Sequence, residues 1–317
     1  VEHRGLLPAV VSGEKARAIK TSGALEILKA PAGGLKSVGG LAAVKDWVRT
    51  RARAFSPEAK LFGLPNPKGL IMVGVSGTGK SLAAKAAAAT LEIPLVRLDV
   101  GALFGGLVGE SEANVRAALK TIDAIAPAVV LIDEIEKAFA GSSAGRSGDS
   151  GTSSRVLGSF LTWTQEHESP VFLIATANDV TALPPEMLRK GRWDAMMFVD
   201  LPSVEERREI LRIHLEARKR DPAKFDLAAL ADVADGFSGA ELEQAIVDAM
   251  FSAFADAGRD ITGADIERAV RATVPLSKTS REQIQALRDW AKTRCTPANG
   301  TKPAEIAAPA KGRKVAS

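Results

Sequence analysis

A chain of 317 residues and 33.2 kDa, 46% hydrophobic and 25% charged, has room for two ordinary domains, and its longest apolar run falls far short of the ~20 residues that cross a bilayer. Cys295 stands alone and cannot close an internal disulfide, and His3, His167 and His214 are too scattered for a zinc-ligand spacing. The net charge is +4, but Lys302, Lys311, Arg313 and Lys314 stand against Glu305 alone after Thr296, so the body is close to neutral and the pI of 9.2 is weak evidence for nucleic acid or acidic lipid as partner.

The chain opens on Val1 rather than Met, so any targeting segment is expected to be gone already. Residues 1–36 mix short helical patterns with Pro31, Gly33 and Gly34, as expected of a linker from a missing upstream region. Between Gly40 and Asp200, short apolar or β-branched runs alternate with helical periods. That alternation predicts a parallel sheet covered by helices over 37–201. Five strands are predicted: Gly69 to Gly74, Pro94 to Val100, Ala128 to Asp133, Val171 to Asn178 and Ala195 to Asp200. The third and fourth are nearly continuous apolar runs, as strands buried on both faces require. Val115, Leu119, Ile122 and Ile125 recur at helical spacing behind Glu110 and Ser111, predicting a helix on one face of the sheet.

After Pro202 only helical patterns remain: Val204 to Arg218, Leu227 to Val233, Gly239 to Ala257 and Ile266 to Thr273, a small all-helical domain over 202–275. An amphipathic helix, Arg281 to Arg294, follows in 276–295, with Ile284, Leu287 and Trp290 on one face. Residues 296–317 are Ala, Pro, Lys and Gly with almost nothing large and apolar, and read as a disordered basic tail. Trp47, Phe55 and Trp163 read as core, His167 and His214 as ordinary surface or helix residues.

Gly74-Val75-Ser76-Gly77-Thr78-Gly79-Lys80-Ser81 fits G-x-x-x-x-G-K-[ST] between a predicted strand and a predicted helix, which makes the first domain an α/β P-loop NTPase fold. Backbone N–H groups of Gly77, Thr78, Gly79, Lys80 and Ser81 are expected to curl around a phosphate chain at a helix N-terminus, with Leu82 next in the helix beside the nucleotide. Lys80 should reach the outer phosphates of ATP, and the Ser81 hydroxyl should sit on Mg²⁺. Asp133 and Glu134 end a buried strand on the edge where α/β sheets bind ligands. Asp133 suits a second contact to Mg²⁺, and Glu134 suits the group that orients and deprotonates an attacking water. Asn178 reads either as strand-end turn chemistry or as an amide that holds the water or the γ-phosphate. Arg189 and Arg192, around Lys190 and Gly191, read either as solvated surface or as arginines donated across a subunit boundary.

Taken in order, these residues resemble an AAA+ ATPase of the branch that remodels protein substrates. Val38-Gly39-Gly40 resembles that branch's opening signature near the adenine; Gly74 to Ser81 is similar to Walker A, Asp133-Glu134 to the Walker B acids and Asn178 to sensor one. Arg189 and Arg192 resemble the paired arginine fingers. Gly236 to Leu242 resembles the lid signature, which implies that Gly239 and Ala240 pack near the base. Gly101 to Glu112 and Asp149 to Val156 look like the poorly characterised AAA proteins of cyanobacteria and red-algal plastids.

The resemblance implies ATP and Mg²⁺ as cofactors and a homo-oligomeric ring, usually of six subunits. A protein partner of unknown identity and no membrane are implied too, in a bacterial cytoplasm or a plastid stroma. Leu107 and Val108 fall at the substrate pore, where many chain-threading relatives place an aromatic residue in the position of Leu107. Gly141 to Ser154 reads as a second pore loop or a flexible surface loop. The leading expectation is ATP-driven remodelling of a protein partner. The alternatives are a nucleotide-gated assembly switch that binds without translocating and, disfavoured by the neutral body, a DNA-handling motor.

Overall fold

The computed structural model describes residues 13–104, 110–138, 150–189 and 191–300. Its sheet holds seven strands: β1 (Leu25–Leu28), β2 (Gly69–Gly74), β3 (Leu95–Leu98), β4 (Ala128–Ile132), β5 (Val171–Ala177), β6 (Ala195–Val199) and β7 (Thr296–Pro297). Their order is β1-β3-β4-β5-β2-β6-β7, every pairing parallel except β1 with β3. The five inner strands are the five expected from sequence. β4 and β5 are buried from end to end, and successive side chains go to opposite layers, as the strand period of two demands. Ile71, Val130 and Leu173 join one core; Leu70, Val129 and Phe172 join the other.

The helices over this domain are α1 (Gly13–Thr21), α2 (Ala42–Arg51), α3 (Pro57–Leu61), α4 (Lys80–Leu91), α5 (Val100–Phe104), α6 (Glu110–Ile125) and α7 (Ser150–Glu166). The expected face of α6, Val115, Leu119, Ile122 and Ile125, packs in one core layer with Phe160 and Leu161 of α7. On the other face α4 buries Ala83, Ala84, Ala86, Ala87 and Ala88, whose small side chains let the helix lie close to the strands. There Trp47 packs tilted and Phe55 edge-on against Phe172, with ring centroids 5.4 and 6.4 Å away.

The helical unit comprises α8 (Val204–Ala217), α9 (Leu227–Val233), α10 (Gly239–Ala255) and α11 (Gly263–Ala272), around a core of its own that includes Leu211, Leu215, Phe237, Leu242, Ile246 and Ile266. Ser203, Ser238 and Thr262 start α8, α10 and α11 with reciprocal capping boxes to Glu206, Glu241 and Asp265. Then α12 (Leu276–Thr279) and α13 (Arg281–Ala291) return to the sheet domain, where Leu287 enters its core.

Two strands correct the five-stranded expectation. β1 lies inside the stretch read as linker. It is a four-residue edge strand that buries Leu25 and pairs Glu26 with Arg97 at 2.6 Å, too short to stand out as a pattern. β7 lies at the start of the stretch read as tail, and backbone groups hold it there. Ala298 N–H donates to Phe198 O at 2.8 Å, and Ala43 N–H to Ala298 O at 3.0 Å. In the Gly/Ser-rich segment, residues 150–154 already belong to α7, while 141–149 lie outside the described residues. Leu107 and Val108 lie outside them too.

Candidate functional site

Strand β2 ends at Gly74, where nothing larger fits: a Cβ there would lie 2.0 Å from Val199 O across the ladder. The chain then curls through Gly77 (φ +74°) and Gly79 (φ +85°), left-handed positions that favour glycine, into the first turn of α4. Thr78 Oγ1 ties the curl by donating to Val75 O at 2.7 Å. Lys80 is buried with its Nζ donating to Gly74 O and Val75 O at 2.9 and 2.6 Å. Burial pushes its pKa down to about 8, opposed by the charges of Glu136, Asp133 and Glu134. An ammonium at the base of a turn lined with N–H groups at a helix start is placed to meet a phosphate chain.

The acidic side is built at the ends of β4 and β5. Ser81 Oγ donates to Asp133 Oδ1 at 2.6 Å, and Thr176 Oγ1 donates to the same oxygen at 2.6 Å. The Glu134 N–H donates to Thr176 Oγ1 at 2.9 Å, which holds the backbone as Glu134 turns out of the sheet at φ +50°. Asn178 Nδ2 donates to Glu134 Oε1 at 3.0 Å, and Lys137 pairs with the other oxygen. The Asn178 backbone N–H donates to Glu136 Oε1 at 2.9 Å.

For a metal, Ser81 and Asp133 offer two hard oxygens beside the phosphate turn. Among the described residues no group of three or more His, Cys, Asp or Glu side chains could cage an ion. That donor set fits Mg²⁺, which binds through one or two protein oxygens and fills its shell with phosphate oxygens and water.

At the other end the helical unit closes over the turn. Ala240 N–H donates to Gly77 O at 2.9 Å, and a Cβ on Gly239 would lie 3.3 Å from the same oxygen. Gly39 runs so close to α8 that a Cβ would meet Ile210 Cγ1 at 2.5 Å. Glu206 and Glu209 of α8 accept the Leu41 and Gly40 N–H groups at 3.1 and 2.8 Å and hold that stretch in place.

One cleft of about 430 Å³ gathers Val38, Gly39, Gly77, Thr78, Gly79, Lys80, Ser81, Leu82, Asp133, Glu134, Asn178, Gly239 and Ala240. Every nucleotide-side residue expected from sequence is therefore in one place. Arg189 and Arg192 are not in its lining. Arg189 is exposed and lies 3.9 Å from Glu186, while the Arg192 guanidinium donates to Glu186 O. The loop between them is fastened by Lys68 Nζ, which donates to Gly191 O at 3.0 Å.

Several lining residues escaped sequence reasoning, among them Thr176, Ile210 and His214. Thr176 is the single polar side chain of β5, a signal that could have found it. His214 corrects its reading as an ordinary helix residue: it stands at i+4 from Ile210 on the face of α8 toward the cleft. Burial lowers its pKa, against the pull of Glu243 at 3.5 Å, and favours the neutral ring.

Comparison with known proteins agrees with this geometry. Residues 70–201 match the family described as ATPase family associated with various cellular activities (AAA), and residues 224–268 match the AAA+ lid domain. An uncharacterized AAA domain-containing protein ycf46 of Pyropia yezoensis is 48% identical over 81% of this chain and 52% of its own length. The proteasome-activating nucleotidase of Aeropyrum pernix is 34% identical over 78% of this chain and 61% of its own. The chain spans about half the length of the curated ycf46 relatives it matches. In fold it is similar to the crystal structure of the FIGL-1 AAA domain, with a TM-score of 0.69 at 22% identity over 91% of this chain and 97% of that one. With the two matches falling in sequence on the sheet domain and its helical lid, this chain belongs to the AAA+ family of ATPases.

Proposed function

We propose that the cleft binds Mg²⁺-ATP and that the chain hydrolyses it to ADP and phosphate. The observation that carries this reading is the meeting in one cleft of Lys80 at the phosphate turn, the Ser81–Asp133 pair, and Glu134 held by Asn178. Val38, Gly39, Ile210, His214, Gly239 and Ala240 take the base, and the N–H groups from Gly77 to Ser81 take the phosphates with Lys80. Ser81 and Asp133 would hold Mg²⁺, which when bound neutralises charge on the phosphates. The Glu134 carboxylate orients a water toward the γ-phosphorus and takes its proton, and the Asn178 amide keeps that carboxylate from swinging away. Lys80→Ala should weaken nucleotide binding at least about tenfold, whereas Glu134→Gln should keep affinity and lose about a hundredfold or more in turnover. Near-normal hydrolysis by purified Glu134→Gln protein, read as phosphate release, would overturn the assignment.

The same reading extends to a homo-oligomeric ring, probed as a hexamer, in which Arg189 and Arg192 reach the nucleotide of a neighbouring copy. Their place outside their own cleft supports this. Exposed apolar side chains support assembly as well. Leu61 and Phe62, 89% and 83% exposed, sit shortly before the Lys68 that fastens the arginine loop, and Phe251 and Phe254 lie on α10, whose first turn faces the cleft. Turnover would drive remodelling of a protein partner, with Leu107 and Val108 presented to it at the pore. The aliphatic Leu107 also favours the second reading, a nucleotide-gated switch that binds its partner without pulling on it; stimulation of turnover by polypeptide separates the two.

A further inference from the structure

The β4–β5 ladder ends at the pair Ile132 and Ala175, because β4 leaves the sheet as Glu134 takes its left-handed turn. The β5 chain continues to Asn178, whose N–H points where the departing strand no longer offers a carbonyl. Asn178 is half-buried, and its N–H needs an acceptor there. The acceptor is the carboxylate of Glu136, in the 3₁₀ turn Ile135–Ala138, with Oε1 at 2.9 Å. Neighbours on that turn are divided. Ile135 enters the core, Lys137 points to solvent, and Glu136 is only 6% exposed. Its second oxygen, Oε2, is buried and has no hydrogen-bond partner among the described residues. The burial of this carboxylate is offset by that bond and by the charge of Lys80, and a site that needed only packing would hold an apolar side chain more cheaply.

We propose that Glu136 is a positioning residue for hydrolysis: by accepting the Asn178 N–H it sets the Asn178 amide against Glu134 and so fixes the carboxylate that activates water. Asn178 is held at both ends by acids of one short segment, its backbone by Glu136 and its side chain meeting Glu134 at 3.0 Å. The inference rests on the reading of Glu134 and Asn178 given above. It differs in what it expects, since Glu136 does not line the cleft and touches no nucleotide.

The test measures kcat and KM for ATP, together with the affinity for a fluorescent ADP, in the full chain carrying Glu136→Leu, Glu136→Gln, Asn178→Ala, or Glu136→Leu with Asn178→Ala. Glu136→Leu is of similar size and removes both the acceptor and a charge that Lys80 feels, whereas Glu136→Gln removes the charge alone. In Glu136→Leu kcat should fall about tenfold or more, while KM and ADP affinity stay within about twofold of those of Glu136→Gln. Glu136→Gln keeps an acceptor oxygen and should recover most of the rate. The double variant should fall no more than about twofold below Asn178→Ala, because both changes break one linkage. Multiplying losses in the double variant, an ADP affinity in Glu136→Leu that falls below that of Glu136→Gln in step with kcat, or a Glu136→Gln as slow as Glu136→Leu each overturn the proposal. If Glu136→Leu does not fold, Glu136→Asp, whose carboxylate stops one methylene short, gives the same reading of kcat against affinity. Wild-type turnover in Asn178→Ala would overturn the reading of Asn178 and this inference with it; a slow Asn178→Ala beside a fast Glu136→Leu overturns this inference alone.

Discussion

Thr176 carries two jobs on one hydroxyl: it donates to Asp133 and accepts from the Glu134 backbone. Thr176→Val keeps the shape and removes both, leaving the Glu134 N–H without its acceptor at a cost of about 1–3 kcal/mol. The expected result is a lower melting temperature, a higher Mg²⁺ concentration for half-maximal turnover and a lower kcat, with Thr176→Ser close to wild type; a metal titration of ATPase activity checks it. What was legible at this scale follows from where the chemistry sits along the chain. The phosphate turn, Gly74 to Ser81, and the acids Asp133 and Glu134 carry their roles on consecutive residues, so spacing alone identifies them. Thr176, Glu136 and His214 act through partners that other elements bring to them, and no local spacing encodes that meeting. A lone hydroxyl in an apolar strand and an i, i+4 pair on α8 were the traces available.

At the scale of elements, the start of α11 is the most heavily tied cap in the lid. Asp265, only 3% exposed, receives the Thr262 hydroxyl and N–H, and Arg259 binds it through two nitrogens at 2.7 and 2.9 Å. These bonds hold its carboxyl well below the usual carboxylate range, the Arg259 guanidinium contributing most. The unfolded chain takes up that proton near the ordinary value of 3.8, so the stability is fully present above that pH and is lost as pH falls below it toward the folded-state value. Melting temperature followed from pH 7 down to about pH 2 should drop on the acid side in wild type. Asp265→Asn should start several degrees lower at pH 7, a loss of about 1–3 kcal/mol, and show a shallower acid-side drop. Legibility at this scale follows burial. β4 and β5 are covered on both faces, so every residue carries the signal; β1 shows one buried residue in four, and β7 is two residues held by backbone bonds, for which composition has no signature.

For the whole molecule, the trans reading of the arginines has a direct consequence for mixtures. Glu134→Gln subunits keep Arg192, and Arg192→Ala subunits keep Glu134. Rings assembled from both should therefore hydrolyse ATP faster than the two proteins measured apart, at interfaces that pair an intact Glu134 with an intact Arg192. Mixed rings no faster than the sum of their separate rates would exclude action across the boundary. The overall plan of sheet domain then lid was readable because the hydrophobic period changes from strands and helices to helices alone after Pro202. The return of the chain to the sheet was not, since it depends on backbone bonds of Ala298 with Phe198 and Ala43 rather than on a pattern.

That return has a mechanical meaning. The chain leaves the sheet after Val199 and rejoins it at Thr296, on the strand next door, and Arg288 clamps Asp200 beside the point of departure through nitrogens at 2.8 and 2.9 Å. The lid's chain thus leaves and rejoins the sheet at neighbouring points, beside the α8 carboxylates of Glu206 and Glu209 that hold the Leu41 and Gly40 N–H groups. Because both crossings lie at β6 and β7, and β6 is bonded to β2, a load on the lid enters the sheet beside the strand that runs into the phosphate turn.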